Sequence, residues 1–303
     1  MSVETGKPAL DLSAVPTDKF PLIHVLEHRP AGLCAYAFDI ETEEPVFIKV
    51  KDAEVTDNDL RMEREAEALA SLSHPQIPRL IDADTSEAQP FPYIVSEFKP
   101  GSIYMRTWYA KNSQPQTAAE ICLSALSPLD YVHDQGIEHR DIKRDNFVIN
   151  VGGLVSALVD FELALWDGQP LFLDRPQDPI RYDQIDSSRV TQTGRVKGTA
   201  DYISPERAAG ERGTAQSDIY SLGIMLYEFV YGQLPFVGTI TEVAKMHVRE
   251  PIVFPYAGGV ITDDLIEIIE TATQKSPEDR YASAGEMGEA LERYLTDAPA
   301  MVV

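Results

Sequence analysis

The sequence is poor in basic residues, and this shortage excludes some classes of partner. It has 26 lysines and arginines against 49 aspartates and glutamates, so the net charge is −23. A field of that sign repels phosphate backbones, and we do not expect nucleic-acid binding. The acidic surface favours basic segments of partner proteins, although solubility alone is the simpler explanation.

Long apolar runs and cysteines are also scarce. No apolar run approaches the roughly 20 residues that a membrane-spanning helix needs, and the start MSVETGKPALDLSAVP lacks the order of a signal peptide. The two cysteines, Cys34 and Cys122, lack the spacing of a metal site, which predicts two buried free thiols in a reducing compartment. We therefore expect a cytoplasmic protein without a membrane span.

The hydrophobic pattern changes along the chain. Residues 1–18 are polar and are expected to form a flexible leader. From Phe20 to about Phe98 the sequence is rich in β-prone runs and contains one helical run. After Gly101 helical runs predominate. This pattern predicts an α+β fold with a small β-rich lobe and a larger, mainly helical lobe.

The expected elements follow from these runs. Strands are predicted at 33–38, 46–50 and 93–98, and helices at 58–73, 117–135, 217–231, 263–273 and 283–295. Asp57 is the expected N-cap of the first helix, and His74-Pro75 ends it. The connection 166–199 contains no predicted element, and connections of that length are usually functional or disordered.

Most of the chemistry is concentrated in the stretch IEHRDIKRDNFVIN, residues 137–150. Asp141, Lys143 and Asn146 fall within six residues, and Asp160 follows an apolar run fourteen residues after Asn146. Amide and carboxylate oxygens are the ligands that Mg²⁺ takes from proteins. Asn146 and Asp160 are therefore a candidate Mg²⁺ pair.

This stretch resembles the catalytic loop of the protein kinases. His139-Arg140-Asp141 with Lys143 and Asn146 matches the pattern HRDxKxxN. The stretch DFE, which begins at Asp160 and contains Phe161, occupies the position of the family's DFG motif, with Glu162 in place of glycine.

Three later motifs extend the resemblance. GTADYISPE resembles the stretch that ends in the APE motif, so Glu206 is the APE glutamate, and Arg280 lies where the family has its pairing arginine. In SDIYSLGIMLYE, Asp218 resembles the aspartate that braces the catalytic loop. The similarity covers about residues 20–295, and SSRVTQTGRVKGTADYISPE is most similar to the bacterial Hanks-type (eukaryotic-like) serine/threonine kinases.

The resemblance implies a bilobal kinase domain over residues 19–295. It places the N-lobe at about 19–98, the C-lobe at about 102–295 and a short tail at 296–303. The implied reaction is in-line transfer of the ATP γ-phosphoryl group to serine or threonine of a protein substrate, with Mg²⁺ or alternatively Mn²⁺. The substrate, the upstream signal and the oligomeric state stay open.

Roles for particular residues come with the resemblance. Asp141 would orient the acceptor hydroxyl and accept its proton, Lys143 would steady the phosphoryl group, and Asn146 and Asp160 would hold the metal. The implied nucleotide-contacting residues are Lys49, Gly32, Cys34, Phe47, Glu97, Phe98 and Val148. The implied structural residues are His139, Phe161, Glu206, Asp218 and Arg280.

Lys49 and Glu65 can also be paired by periodicity. In the strand VFIK, alternation puts Lys49 and Phe47 on one face, with Lys51 beyond them as a less favoured candidate for the phosphate-binding lysine. At 100° per residue, Glu65 lies within the apolar stripe formed by Met62, Ala66, Leu69 and Leu72. A carboxylate in an apolar stripe is costly unless it is paired, so we expect an ion pair with Lys49.

Thr191 and Thr193 match the TQT sequence of bacterial relatives that phosphorylate themselves in this segment. A phosphate there can order the loop through Arg140, and two solvated threonines are the alternative.

The nucleotide site departs from the family pattern. In LEHRPAGLCAYAF, Glu27 and Arg29 replace the first two glycines of the phosphate-binding loop, and Gly32 keeps the third. Phe47 replaces the alanine above the adenine, whereas Ser96 at the gatekeeper position leaves space behind the pocket. Two functions therefore remain: an active serine/threonine kinase, or a pseudokinase that acts as a regulatory or scaffolding module.

Overall fold

The structure is a computed structural model that describes residues 16–29, 32–51, 59–86, 91–98, 103–104, 114–150, 152–166, 199–256 and 261–297. At 27–29, 59–60, 103–104 and 199 it describes the backbone alone. Several predictions lie outside the described residues: Asp57, Thr191, Thr193, the connection 167–198, most of the leader and the end of the tail. The chain divides into two compact units near residue 100, with residues 74–76 belonging to the second.

The first unit contains a five-stranded antiparallel sheet in the order β1-β2-β3-β5-β4 and one helix. The strands are β1 (Leu22–Arg29), β2 (Gly32–Asp39), β3 (Glu44–Lys51), β4 (Leu80–Asp84) and β5 (Tyr93–Glu97), and the helix α1 (Asp59–Ser71) follows β3.

Alternating side chains give this sheet two different faces. One face forms a hydrophobic core made of Phe20, Leu33, Ala35, Ala37, Val46, Ile48, Val50, Tyr93 and Val95. The other face, here called the open face, carries the half-buried side chains of Cys34, Tyr36, Phe47 and Lys49. The predicted alternation over Val46–Lys49 is therefore confirmed. The prediction of two buried thiols is correct for Cys122 and wrong for Cys34, which lies on the open face.

The stretch that aligns with a phosphate-binding loop is a tight antiparallel hairpin. β1 and β2 pair as far as Arg29 and Gly32, so two residues separate the strands. The sequence pattern did not predict β1 as a strand, because apolar and polar residues do not alternate in LIHVLEHR. In the structure Ile23 and Val25 are exposed, and Leu22 packs against the core. Only the backbone of Glu27 and Arg29 is described.

The second unit is mainly helical. Its helices are α2 (Pro115–Asp134), α3 (Pro205–Ala208), α4 (Ala215–Tyr231), α5 (Ile240–Arg249), α6 (Asp263–Ala272) and α7 (Ala284–Asp297). Short strands β6 (Ile103–Tyr104), β8 (Phe147–Ile149) and β9 (Val155–Leu158) form one sheet, and β7 (Ile137–Glu138) pairs with β10 (Leu165–Trp166). The α+β class is confirmed, and α5 is a helix that the sequence analysis missed.

Helix α4 forms the centre of this unit. Its residues are buried without interruption from Ser217 to Phe229, which places Asp218 and Glu228 in the core. A capping box of Thr214 and Ser217 starts the helix, and Gly232, with φ 71°, ends it in the left-handed conformation. Within the described ranges, no helix has both the length and the apolar composition required to cross a bilayer.

Candidate active site

In the first unit, Lys49 and Glu65 form an ion pair. Lys49 lies on the open face, and its Nζ is 2.7 Å from Oε2 of Glu65 in α1. The two side chains are 15% and 8% exposed, so each charge is largely removed from water and is compensated by the other. Along α1, Met62, Leu69 and the following Leu72 are buried as predicted, whereas Ala68 rather than Ala66 completes the stripe.

Aromatic rings line the open face beside this pair. Phe47 is paired in register with Tyr36 on one side and with Ser96 on the other. The ring of Phe98 is 4.5 Å from that of Tyr36, centroid to centroid. Cys34 is the neighbour of Lys49 on β2. The predicted nucleotide-contacting residues Cys34, Phe47 and Phe98 thus belong to one unit with Lys49, and Glu97, at the end of β5, is half-buried.

Gly32 is required by packing within the sheet. A Cβ at this position would lie 2.3 Å from the backbone oxygen of Val50 in β3, a distance that no side chain tolerates. The presence of glycine here therefore has a structural reason that is independent of phosphate binding.

In the second unit, the catalytic loop brings three polar side chains together. Lys143 Nζ lies 2.5 Å from Asp141 Oδ2, and Asn146 Nδ2 donates to both the backbone oxygen and Oδ2 of Asp141, at 2.8 and 3.0 Å. Burial raises the pKa of Asp141, the Lys143 ammonium opposes this shift, and the charge of Asp160 adds to it. The loop therefore presents a carboxylate whose proton affinity exceeds that of an exposed aspartate. Val148, half-buried, follows in β8.

Asp218 holds the backbone of this loop from inside α4. Its two carboxylate oxygens accept the backbone N–H groups of His139 and Arg140, each at 2.8 Å. Arg140 has φ 66°, a left-handed conformation that is costly for a side chain other than glycine and persists only when neighbours enforce it. Burial would raise the pKa of Asp218, but hydrogen bonds and charge from His133 outweigh it, so the pKa is lowered.

His139 is a buried, neutral part of the same support. Its Nε2 lies 3.2 Å from the backbone oxygen of Val159, and its Nδ1 accepts the N–H of Asp141. Burial lowers the pKa of His139 despite the neighbouring carboxylates. Its ring packs 4.7 Å from that of Phe161, which is fully buried and directly follows Asp160.

The oxygen donors near this loop fit a hard divalent cation. Asn146 uses its amide nitrogen on Asp141, which leaves its oxygen end as the possible ligand. Asp160 also has a left-handed backbone, with φ 70°. An amide oxygen and a carboxylate are the donor types that suit Mg²⁺. Glu162, the departure from DFG, lies half-buried in the following turn.

The APE glutamate has the expected partner. Arg280 forms two parallel contacts with Glu206, at 2.9 and 2.7 Å, and its side chain is fully buried. Burial opposes ionisation of Glu206, but hydrogen bonds from Arg280 and Ser217 outweigh it and lower its pKa. This ion pair joins α3 to the turn that precedes α7.

The sequence analysis overlooked a second ion pair at the catalytic loop. Arg144 Nη1 contacts Glu228 Oε1, and the hydroxyl of Tyr202 donates to Glu228 Oε2 at 2.5 Å. In addition, Arg207 Nη1 donates to the backbone oxygen of Arg140. The available signal was Glu228 itself, a lone carboxylate within the apolar run IMLYEFV, for which the argument used at Glu65 demands a partner.

Comparison with known proteins gives the family. A family model described as the protein kinase domain matches residues 31–292. The chain therefore belongs to the protein kinase family, and its similarity to bacterial Hanks-type members is confirmed.

Three similar proteins illustrate that relationship. The chain is 35% identical over 291 residues to the serine/threonine-protein kinase PknB of Mycobacterium leprae, covering 93% of this chain and 44% of the relative. It is 34% identical over 295 residues to PknB of Mycolicibacterium smegmatis, with the same two coverages. A probable PknB of Bifidobacterium longum is 32% identical over 272 residues, covering 86% and 37%. The chain thus spans less than half the length of these curated relatives.

Proposed function

We propose that residues 19–295 form an active protein kinase domain that phosphorylates serine or threonine side chains of a protein substrate. The observation that carries this proposal is the cluster of Asp141, Lys143 and Asn146, held on a loop whose backbone is bonded to Asp218. The names of the mycobacterial relatives, serine/threonine-protein kinase, support the choice of acceptor.

Each residue of the site has a separate role in the proposed reaction. MgATP supplies the γ-phosphoryl group when it is bound. Asp141 orients the acceptor hydroxyl and takes its proton, and the raised pKa of this carboxyl favours proton transfer. Lys143, already in contact with Asp141, steadies the negative charge that develops on the transferred group. Lys49 binds the α- and β-phosphates, and Glu65 holds its ammonium in place.

Asn146 and Asp160 are the proposed metal ligands. Both offer oxygen atoms, and the Asn146 side chain is fixed by its two bonds to Asp141. Mg²⁺ is the preferred ion because it needs few protein oxygens and retains waters. Mn²⁺ accepts the same donor types.

The acceptor and the regulatory segment are proposed on different grounds. The net charge of −23 favours substrates with basic segments. We further propose that the kinase phosphorylates its own Thr191 and Thr193, and that Arg140 binds the phosphate and thereby orders the loop. Unchanged activity in the Thr191→Ala/Thr193→Ala variant would refute this ordering role.

The decisive experiment is intact-mass measurement after phosphatase treatment and then MgATP. Wild type should gain phosphoryl groups, whereas Asp141→Asn and Lys49→Met should not. Lys51→Met is the matched control, because Lys51 extends from the same open face of β3 and is assigned no phosphate contact. A loss in Lys51→Met equal to that in Lys49→Met would contradict the role given to Lys49.

The pseudokinase alternative has one structural observation in its favour, the aromatic side chains of Tyr36 and Phe47 on the open face. It predicts no phosphoryl gain in wild type and no thermal stabilisation by MgATP. Stabilisation without transfer would instead indicate a nucleotide-binding module.

A further inference from the structure

Arg144 belongs to the catalytic loop and directly follows Lys143. Its positive charge forms an ion pair within the protein. Its guanidinium contacts Glu228 of α4, and the two side chains are 23% and 7% exposed. A negative charge buried as deeply as that of Glu228 is costly to leave without a cationic partner. Arg144 supplies that cation.

Glu228 links Arg144 to a third element. Its second oxygen accepts the hydroxyl of Tyr202, which lies in the short 3-10 turn Thr199–Tyr202. Burial and the neighbouring Glu228 raise the pKa of Tyr202, so the phenol keeps the proton that it donates. The sequence of contacts Arg144–Glu228–Tyr202 thus joins the catalytic loop to the turn that opens the APE stretch.

Other residues of the second unit also hold this turn. Ser221 donates to the backbone oxygen of Tyr202 at 2.7 Å, and His247 Nε2 lies 3.2 Å from the backbone oxygen of Asp201. Ala200 packs against Phe236 and Val243. Through Glu228, Arg144 links the catalytic loop itself to this turn.

We propose that Arg144 is a positioning residue for the acceptor: through Glu228 and Tyr202 it fixes the turn Thr199–Tyr202 relative to Asp141. This inference rests on the proposed kinase function, since it concerns where the substrate hydroxyl is presented. The turn and Asp141 belong to the same compact unit, so the link acts within that unit.

The kinetic test separates acceptor from nucleotide. For Arg144→Ala, kcat/KM for an acceptor peptide at saturating MgATP should fall about tenfold or more, with KM for ATP unchanged. Tyr202→Phe, which removes the donor to Glu228, should show the same pattern more weakly. Arg144→Lys keeps the charge and should recover part of the loss. The matched control is Arg293→Ala, because Arg293 makes an exposed ion pair with Glu289 at 3.8 Å.

Chemical rescue tests whether the missing cation is the cause. Ethylguanidinium at low concentration should restore acceptor kcat/KM in Arg144→Ala and leave Arg293→Ala unchanged. Equal losses for peptide and ATP, without rescue, would overturn the proposal and reduce Arg144 to a general stabiliser of the fold.

Amide hydrogen exchange provides a readout that does not need activity. Peptides covering residues 199–208 should exchange faster in Arg144→Ala and Tyr202→Phe than in wild type, while peptides from α7 should not change. Unchanged exchange at 199–208 would overturn the proposal. If wild type transfers no phosphoryl group, the proposed function fails, yet exchange still decides whether Arg144 positions this turn.

Discussion

Phe47 lies directly opposite Ser96 in the paired strands β3 and β5. Both side chains are on the open face. The Cβ atoms of directly opposed residues on antiparallel strands lie about 5 Å apart, so the bulky side chain and the small one are immediate neighbours. The small serine therefore offsets the extra volume of the phenylalanine. Phe47, the largest departure from the kinase pattern, is thus compensated in volume by Ser96.

This pairing predicts how the proposed nucleotide site tolerates changes in size. Wild type should use ATP analogues with bulky N6 substituents, and Ser96→Phe should abolish their use and weaken ATP binding about tenfold, because Ser96 is only 7% exposed and a ring in its place would overpack this part of the open face. Ser96→Ala, which keeps the volume small, is the control. The measurement is the steady-state rate with each nucleotide. Refusal of every bulky analogue by a wild type that uses ATP would contradict this explanation.

Gly32→Ala should destabilise the first unit by about 1–3 kcal/mol, because the new Cβ would collide with the Val50 backbone oxygen. The loss should be visible in urea unfolding of the protein without nucleotide. The control is Gly288→Ala in α7, where an added Cβ would lie 3.8 Å from the side chains of Leu123 and Leu126, an ordinary van der Waals contact. Unchanged stability of Gly32→Ala with weaker ATP binding would instead assign this glycine to the nucleotide.

Glu206 and Arg280 should be strongly coupled. Glu206→Gln or Arg280→Met leaves one buried charge without its partner, and each should cost about 3–5 kcal/mol of unfolding free energy. The double variant should cost less than the sum, as a double-mutant cycle by urea unfolding would detect. The exposed pair Arg293–Glu289 is the comparison, and its removal should have no measurable effect. Additive losses at Glu206 and Arg280 would mean that the two charges do not depend on each other.

Lys275 should make stability depend on pH in the alkaline range. Its Nζ donates to the backbone oxygen of His247 at 2.8 Å and lies over the ring of Phe236. Burial and then repulsion by Arg280 lower its pKa from 10.5 to about 8, against an opposing attraction from Glu250. Between about pH 8 and 10.5 the unfolded chain holds a proton that the folded chain has released, so stability rises with pH in this window.

The variant Lys275→Met isolates this contribution. Relative to the variant, the thermal midpoint of wild type should improve as the pH rises from about 8 to 10.5 and should show a constant difference below pH 8. A midpoint difference that falls over that range would show that the ammonium is stabilised, and not destabilised, by its surroundings.

The sequence predicted those parts of the site whose residues lie close together in the chain or can be placed by the period of a strand or helix. Asp141, Lys143 and Asn146 lie within one short loop, so their proximity follows from spacing alone. Strand alternation pointed to Lys49, and helical periodicity pointed to Glu65. Because a buried carboxylate without a partner is costly, the two residues were predicted to form an ion pair, and the structure shows this contact.

The remaining features depend on tertiary contacts that spacing does not encode. Gly32 is fixed by the backbone of β3, which lies in another strand. Helix α5 is the exception, because its signals were present in the sequence and were overlooked: Ile240, Val243, Ala244 and His247 recur at helical spacing, and Thr239 forms a capping box with Glu242. The ion pair of Arg144 was overlooked because its partner Glu228 is 84 positions away.

The brace at Asp218 has a consequence for the order of folding. The conformation of the catalytic loop at His139 and Arg140 depends on a carboxylate inside α4, a helix that is buried along nearly its whole length. We therefore expect the loop to acquire its final shape only after α4 has been enclosed by its neighbours. In a refolding or newly synthesised chain this order would put the helical core first and the catalytic loop last, so a partly folded chain would be inert in the proposed phosphoryl transfer.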